Sequence, residues 1–131
     1  MLRIVIGIFL IAHGLVHWVL IAPPPNIPDT GIGGFLTNSW LVGNLGLNEA
    51  VARWLGITLI VLATIGFVTA GIVVLGSQEW WRVLAVVSAA ISIILLVFFW
   101  NSWFVVGPLL DVAILVALLW IHWPSVDVIG S

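Results

Sequence analysis

The sequence predicts an all-helical membrane protein, a single domain over residues 1–131 built as a polytopic bundle of four transmembrane helices. Three observations carry that expectation. First, 63% of the residues are hydrophobic and only 6% are charged, whereas a soluble domain carries about 25% charged residues to face water. Second, the few charges fence off four apolar stretches, near residues 4–22, 54–76, 81–100 and 104–123. Each is long enough as a helix to cross a hydrocarbon core of about 30 Å. Third, tryptophans gather at the ends of these stretches, where an amphipathic indole meets both lipid and water. The stretches are apolar on every face and do not alternate, which points to helices and away from a barrel.

The same composition excludes several classes. Three arginines and no lysine leave no basic patch for nucleic acid. The absence of cysteine removes thiol catalysis, thiolate metal sites and disulfides.

The first span, residues 4–22, reads as a retained helix. It is long for a signal-peptide core, and Pro23-Pro24-Pro25 after Ala22 is a poor context for cleavage. A loop near 23–48 follows. Its Pro-rich start is stiff, and Gly31-Ile32-Gly33-Gly34 is a flexible break. Phe35 to Leu47 is apolar but too short to span, and Thr37 or Asn38 is expected to cap a short helix there. Asn48-Glu49 reads as the cap and first turn of the second span, with Glu49 and Arg53 one turn apart. Gly76 to Trp80 forms a tight hairpin, across which Glu79 and Arg82 can pair. Gly66 with Ala70, Ala85 with Ala89, and Ser88 with Ser92 form small-residue pairs that let the second and third spans approach closely. Gly107-Pro108 reads as the start of the fourth helix, with proline at its first position.

Arg3 and Arg82 against Arg53 put both termini in the cytoplasm by the positive-inside rule, in a multi-pass protein of the cell membrane. Trp80, Trp81, Trp120 and Trp123 then form an inner belt, and Trp54, Trp100 and Trp103 an outer one, with Trp18 slightly deeper.

Three ionisable residues remain inside the spans: His13, His17 and Asp111. The histidines lie one turn apart on one helix face, and Gly7, Gly14 and His17 share a 3–4 spaced seam with Arg3, Leu10 and Ile21. Counted from the helix ends, all three reach similar depth in the outer half, so they are candidate ligand or proton-site residues if the first and last spans are neighbours. A buried charged carboxyl must find a partner, and His17 is the expected one. Simpler roles compete: Asp111 as a first-turn dipole residue, His17 bonded to a backbone carbonyl, His13 in a single bond across a helix pair. His122, beside Trp123, reads as an interface residue.

Several chemistries fit such a cluster. Two histidines and a carboxylate supply three ligands for zinc or copper, although an H-x-x-x-H spacing alone is a weak signal. Haem is disfavoured, because His13 and His17 share a face and cannot take opposite axial positions. A proton-accepting or quinone site fits better, with Trp18, Trp100 and Trp103 lining an aromatic pocket.

Leu2-Arg3-Ile4, Gly7 and His13-Gly14 resemble the opening of DoxX-like proteins, small four-helix bacterial membrane proteins. The resemblance covers the first span. The remainder is similar to uncharacterised small bacterial membrane proteins in His13 to His17, Trp80-Trp81-Arg82, Phe99-Trp100 and Gly107 to Asp111. The DoxX resemblance implies a component or partner of a membrane-bound oxidoreductase. The chain departs from it in His17, where a lysine-type position is expected, and in the Pro-rich loop.

The expected function is therefore a small integral-membrane accessory or interaction protein, as a subunit of a redox or respiratory assembly. The alternative is a protein binding a quinone, metal or other redox ligand through His13, His17 and Asp111, and the second alternative is an oligomeric pore or transporter. No catalytic motif is evident. The expected partners are the lipid bilayer and either further copies of the chain or a larger membrane complex, with no nucleic acid. The topology is directly testable. A reporter fused after Ser131 should read cytoplasm, and one inserted near Asp29 should read exterior; the reverse pair of readings inverts the orientation.

Overall fold

The computed structural model describes residues 1–21, 36, 39–101 and 104–129. Helix α1 (Leu2–Val16) continues as a 3-10 stretch over His17–Ile21. A single turn, α2 (Trp40–Gly43), precedes the long α3 (Glu49–Leu75) and α4 (Trp81–Phe98). Helix α5 (Val106–Leu115) runs on as a π-helical stretch, Val116–Trp120, and α6 (Val126–Ile129) is again one turn. The described residues contain no strand.

Three helices are long and apolar enough to cross a membrane: Leu2–Ile21, Glu49–Leu75 and Trp81–Phe98. The fourth apolar helix, Val106–Trp120, is shorter. Its ten α-helical and five π-helical residues reach roughly 22 Å, less than the ~30 Å of a hydrocarbon core. The outward faces are apolar along their length, including Ile8, Ile65, Ile72, Val83 and Leu119. So large an exposed apolar surface needs lipid or protein against it.

Local chemistry sets the helix boundaries. Asn48 caps α3 as expected, its side-chain oxygen accepting from Ala50 N at 2.8 Å and from Val51 N. The helix starts at Glu49, the expected first turn, ahead of the apolar stretch that begins at 54. The cap of α2 is Ser39, which accepts from Leu41 N; Thr37 and Asn38 lie outside the described residues, as do the Pro-rich segment, Asp29 and the Gly31 to Gly34 break. Ser39 Oγ also donates to Phe98 O, and Trp40 Nε1 to Val97 O, each at 2.6 Å. Those two contacts satisfy carbonyls that the end of α4 leaves without helical partners. Helix α5 begins at Val106, so Pro108 is its third residue and not its first. A proline in the first turn loses no hydrogen bond, which is why the shift is tolerated.

The helices pack in chain order, α1 on α3, α3 on α4 and α4 on α5. Glycines make the close approaches. A Cβ on Gly71 would sit 2.7 Å from the Gly7 carbonyl oxygen, and one on Gly66 only 2.0 Å from Ser88 Oγ. The α3/α4 approach through Gly66 and Ser88 is the expected tight hairpin. Arg3 donates to Ser77 Oγ across the hairpin end, and the Arg82 guanidinium donates to the Pro124 carbonyl. The guanidinium also lies over the Trp81 ring, 5.1 Å from its centroid, and makes no ion pair with Glu79 among the described residues.

Two apolar clusters form the core. One gathers Leu10, Phe67, Ala70, Val74, Trp81, Ala85, Ala89 and Leu118 near the hairpin. The other gathers Leu20, Leu36, Ile60, Leu95, Leu96 and Phe99 toward the opposite end. Trp81 belongs to the first cluster and is buried, which corrects its expected place in an interfacial belt. An indole on the inward face of α4 fills core volume. Trp18, Trp54, Trp80, Trp100, Trp120 and Trp123 are exposed, and Trp103 lies outside the described residues.

Gly66→Leu should destabilise the bundle by about 1–3 kcal/mol through overpacking against α4. Leu62→Ile, on an exposed face, should be near neutral. Thermal unfolding of both variants in detergent checks this; equal, wild-type-like stability would remove the close α3/α4 contact.

Candidate functional site

Along each helix, the polar residues fall between the two apolar clusters. His13 and His17 lie between Leu10 and Leu20 on the first helix. Ser92 lies between Ala89 and Leu95 on α4, and Asp111 precedes Leu118 on the last. All four side chains are buried, Asp111 completely. Enclosed polar groups must be hydrogen-bonded to one another, and these are.

Asp111 receives two bonds, one on each carboxyl oxygen. His13 Nε2 lies 2.8 Å from Oδ1. Ser92 Oγ lies 2.5 Å from Oδ2. His17 does not touch the carboxyl. Its Nε2 meets Ser92 Oγ at 2.6 Å, and its Nδ1 lies 2.8 Å from the His13 carbonyl oxygen and 3.2 Å from that of Gly14. A carbonyl only accepts, so His17 Nδ1 carries a hydrogen. The direct partner of Asp111 is therefore His13, and the expected His17–Asp111 pair is replaced by a bond through Ser92. The cause is axial level: His13 and His17 share a face, and α5 presents its carboxyl at the level of His13, one turn from His17. The carboxyl is the sixth residue of α5, beyond its first turn, so the dipole role does not describe it.

Local backbone follows from the same contacts. The Gly14 carbonyl accepts from Thr64 Oγ1 at 3.1 Å as well as facing His17 Nδ1. Side-chain donors on successive carbonyls disturb the α-helical ladder, and it is at His17 that α1 gives way to the 3-10 stretch. Gly14 also admits Phe67, whose Cβ would lie 2.9 Å from a Cβ placed on the glycine. The Phe67 ring stacks on His17 with centroids 5.8 Å apart and meets His13 edge-on at 4.8 Å. Phe9 stacks on the His13 ring at 5.7 Å.

A cleft of about 210 Å³ opens beside the cluster, between the ends of α1 and α5. His13 and His17 supply its polar wall, and the remainder is apolar, including Leu20, Leu96, Phe104 and Leu110. Val16, Val19 and Val106 are exposed and form its rim, so the opening faces sideways out of the bundle. Trp18 and Trp100 do not line it; the aromatic contribution comes from Phe104. His13 Nδ1 makes no hydrogen bond among the described residues. No buried side-chain nitrogen or oxygen among them lacks a partner, so this nitrogen is not sealed in, and the cleft is the space its ring borders.

The candidate ligand atoms of His13, His17 and Asp111 lie within 4.8 Å of one another. His13 Nε2 is bonded to Asp111 Oδ1 and His17 Nε2 to Ser92 Oγ, so a zinc or copper ion held by the three would take the place of the His13–Asp111 and His17–Ser92 bonds. His122 is exposed, with positive φ, at the far end of the last helix and takes no part. Two contributors escaped the sequence reading. In the sequence Ser92 reads as a small helix-packing residue, though a hydroxyl facing a buried carboxyl is the expected way to satisfy it. Phe67 carried no signal beyond an apolar residue in an apolar helix.

The chain matches no protein-family model, no curated protein and no solved structure.

Removing one partner of a buried pair leaves the other uncompensated, so His13→Leu should cost about 3–5 kcal/mol of stability. The double variant His13→Leu/Asp111→Leu should lose less than the sum of the two single changes. Strict additivity in detergent unfolding would mean that the two side chains are not coupled.

Proposed function

We propose that the protein is a small integral-membrane accessory protein of a redox assembly. In this reading α5, extended at its ends, makes the fourth span. Its ligand is lipid-soluble and of the quinone class, bound in the cleft between α1 and α5. The observation that carries this reading is an apolar recess, open sideways, lined by His13, whose Nδ1 makes no hydrogen bond among the described residues.

Ligand chemistry follows from the recess. Its volume, about 210 Å³, is below the roughly 300–1,000 Å³ of pockets that bury a whole drug-sized molecule. It suits a ring with one or two oxygens, whose apolar tail remains in the bilayer. Phe104, Leu96 and Leu110 offer apolar contact to such a ring. His13 Nδ1 offers the hydrogen bond that orients it, and an imidazole nitrogen can either donate to a carbonyl or accept from a hydroxyl. The likeness of the first span to DoxX-like proteins points the same way, toward a partner in oxidoreduction.

The test uses the protein in lipid nanodiscs and a short-tailed benzoquinone as the probe. Saturable quenching of tryptophan fluorescence is expected. His13→Phe, which removes the polar nitrogen, and Val16→Trp, which fills the rim, should each weaken binding about tenfold or more, equivalent to about 1.4 kcal/mol. Non-saturable quenching, the same in both variants as in wild type, would mean simple partition into lipid and would overturn the reading.

A further inference from the structure

The hydrogen bonds at the cluster form one unbranched path. From His13, which lines the cleft, it runs through Nε2 to Asp111 Oδ1, across the carboxyl to Oδ2, then through Ser92 Oγ to His17 Nε2. It stops at His17 Nδ1, which the carbonyl of His13 holds as a donor. Every link is 2.8 Å or shorter.

Hydrogen counting gives this path a property that a static anchor lacks. Ser92 has one hydroxyl hydrogen and two oxygen partners, and it can donate to only one of them. If it donates to Asp111, then His17 Nε2 must carry a hydrogen and donate to Ser92 Oγ. His17 is then an imidazolium and Asp111 a carboxylate. If Ser92 donates to His17, then Asp111 Oδ2 must carry the hydrogen and donate to Ser92 Oγ. Both residues are then neutral. The two arrangements contain the same atoms and the same number of hydrogen bonds. They differ by one shift of hydrogen at each of the two bonds that Ser92 makes.

We infer that Asp111, Ser92 and His17 form a proton relay, with His13 as its port to the cleft. The inference rests on the ligand reading above and names what the site does for that ligand. A hydroxyl of a quinol-class ligand passes its proton to His13 Nδ1. From the neutral arrangement, His13 passes the hydrogen on its Nε2 to Asp111 Oδ1 and so returns to the neutral state as the other tautomer, while Asp111 Oδ2 passes its hydrogen to Ser92 Oγ and Ser92 passes its own to His17 Nε2. One O–H bond of the ligand breaks, one N–H bond forms on His17, Asp111 and Ser92 each gain one hydrogen and lose one, and no electron moves through these residues. In reverse, the same path supplies a proton to an anionic ligand oxygen. His17 balances the carboxylate in one arrangement and takes Ser92's hydrogen bond in the other.

Among the described residues, no other charged side chain is bonded to the cluster. The other charged side chains of α1, α3 and α4 sit near helix ends: Arg3 on Ser77, Glu49 and Arg53 in the first turns of α3, and Arg82 on Pro124. The rings facing the cluster, Phe9 and Phe67, carry no exchangeable hydrogen.

The relay is tested by whether Asp111 and His17, which do not touch, sense one another through Ser92. Nitrogen-15 NMR of histidine-labelled protein in nanodiscs reads the protonation of His17 Nε2 directly. Asp111→Asn is expected to shift the His17 Nε2 resonance. The same change in a Ser92→Ala background is expected to leave it unmoved, and Ser92→Thr, which keeps the hydroxyl, should restore the shift. An unmoved His17 resonance in the otherwise wild-type protein would overturn the relay. So would an equal shift in the Ser92→Ala background. Quenching by the short-tailed benzoquinone separates this from the ligand reading. Ser92 does not line the cleft, so Ser92→Ala should bind the probe within about twofold of wild type. Saturable binding without the coupling would defeat the relay alone. Coupling without saturable binding would defeat the assignment of His13 as a port to that ligand, together with the ligand reading.

Discussion

A carboxyl group enclosed among apolar helices must be neutral or fully hydrogen-bonded. Asp111 is enclosed, and the groups that satisfy it come from two other helices: His13 from α1 and Ser92 from α4. The rest of the arrangement follows from that demand. Helix α4 must turn the face carrying Ser92 toward α5. Helix α1 must bring His13 to the same level, which leaves His17 one turn further along and within reach of Ser92. One polar layer is thus fixed between two apolar clusters that have no comparable directional preference.

Close packing elsewhere makes the layer possible. Gly7 against Gly71 and Gly14 against Phe67 seat α1 deeply on α3. Gly66 does the same for α3 and α4. Helices α1 and α5, by contrast, do not pack extensively on each other. They are joined across a gap by the His13–Asp111 bond, and the cleft is the unfilled part of that gap. Read as a membrane protein, the bundle therefore places a polar layer beside a lateral cleft of about 210 Å³. That coincidence is the reason to treat the layer as more than an anchor.

Much of this was readable in the residues. Asn48 announced the start of α3 through its capping chemistry, and Gly66, Ala70, Ala85 and Ala89 announced a close helix pair through their size. His13, His17 and Asp111 stood out because ionisable groups inside apolar spans need partners. The pairing within the cluster was not readable. Spacing puts His13 and His17 on one face, but it says nothing of the level at which α5 meets that face, and an axial shift of one turn exchanges one histidine for the other. Ser92 looked like a packing residue because small polar side chains serve both purposes. Trp81 looked interfacial because position along a helix was visible and orientation about it was not. The fourth helix proved shorter than its apolar run, since the chain leaves helical geometry at both ends of that run.

The central claim is that Asp111 is held by His13 directly and by His17 only through Ser92. Dipolar recoupling between aspartate carboxyl carbon-13 and histidine ring nitrogen-15, measured on the protein in lipid, reads those distances. The account predicts strong dephasing at His13 Nε2 and distinctly weaker dephasing at His17 Nε2. Strong dephasing at His17 with little at His13, or none at either, would contradict it.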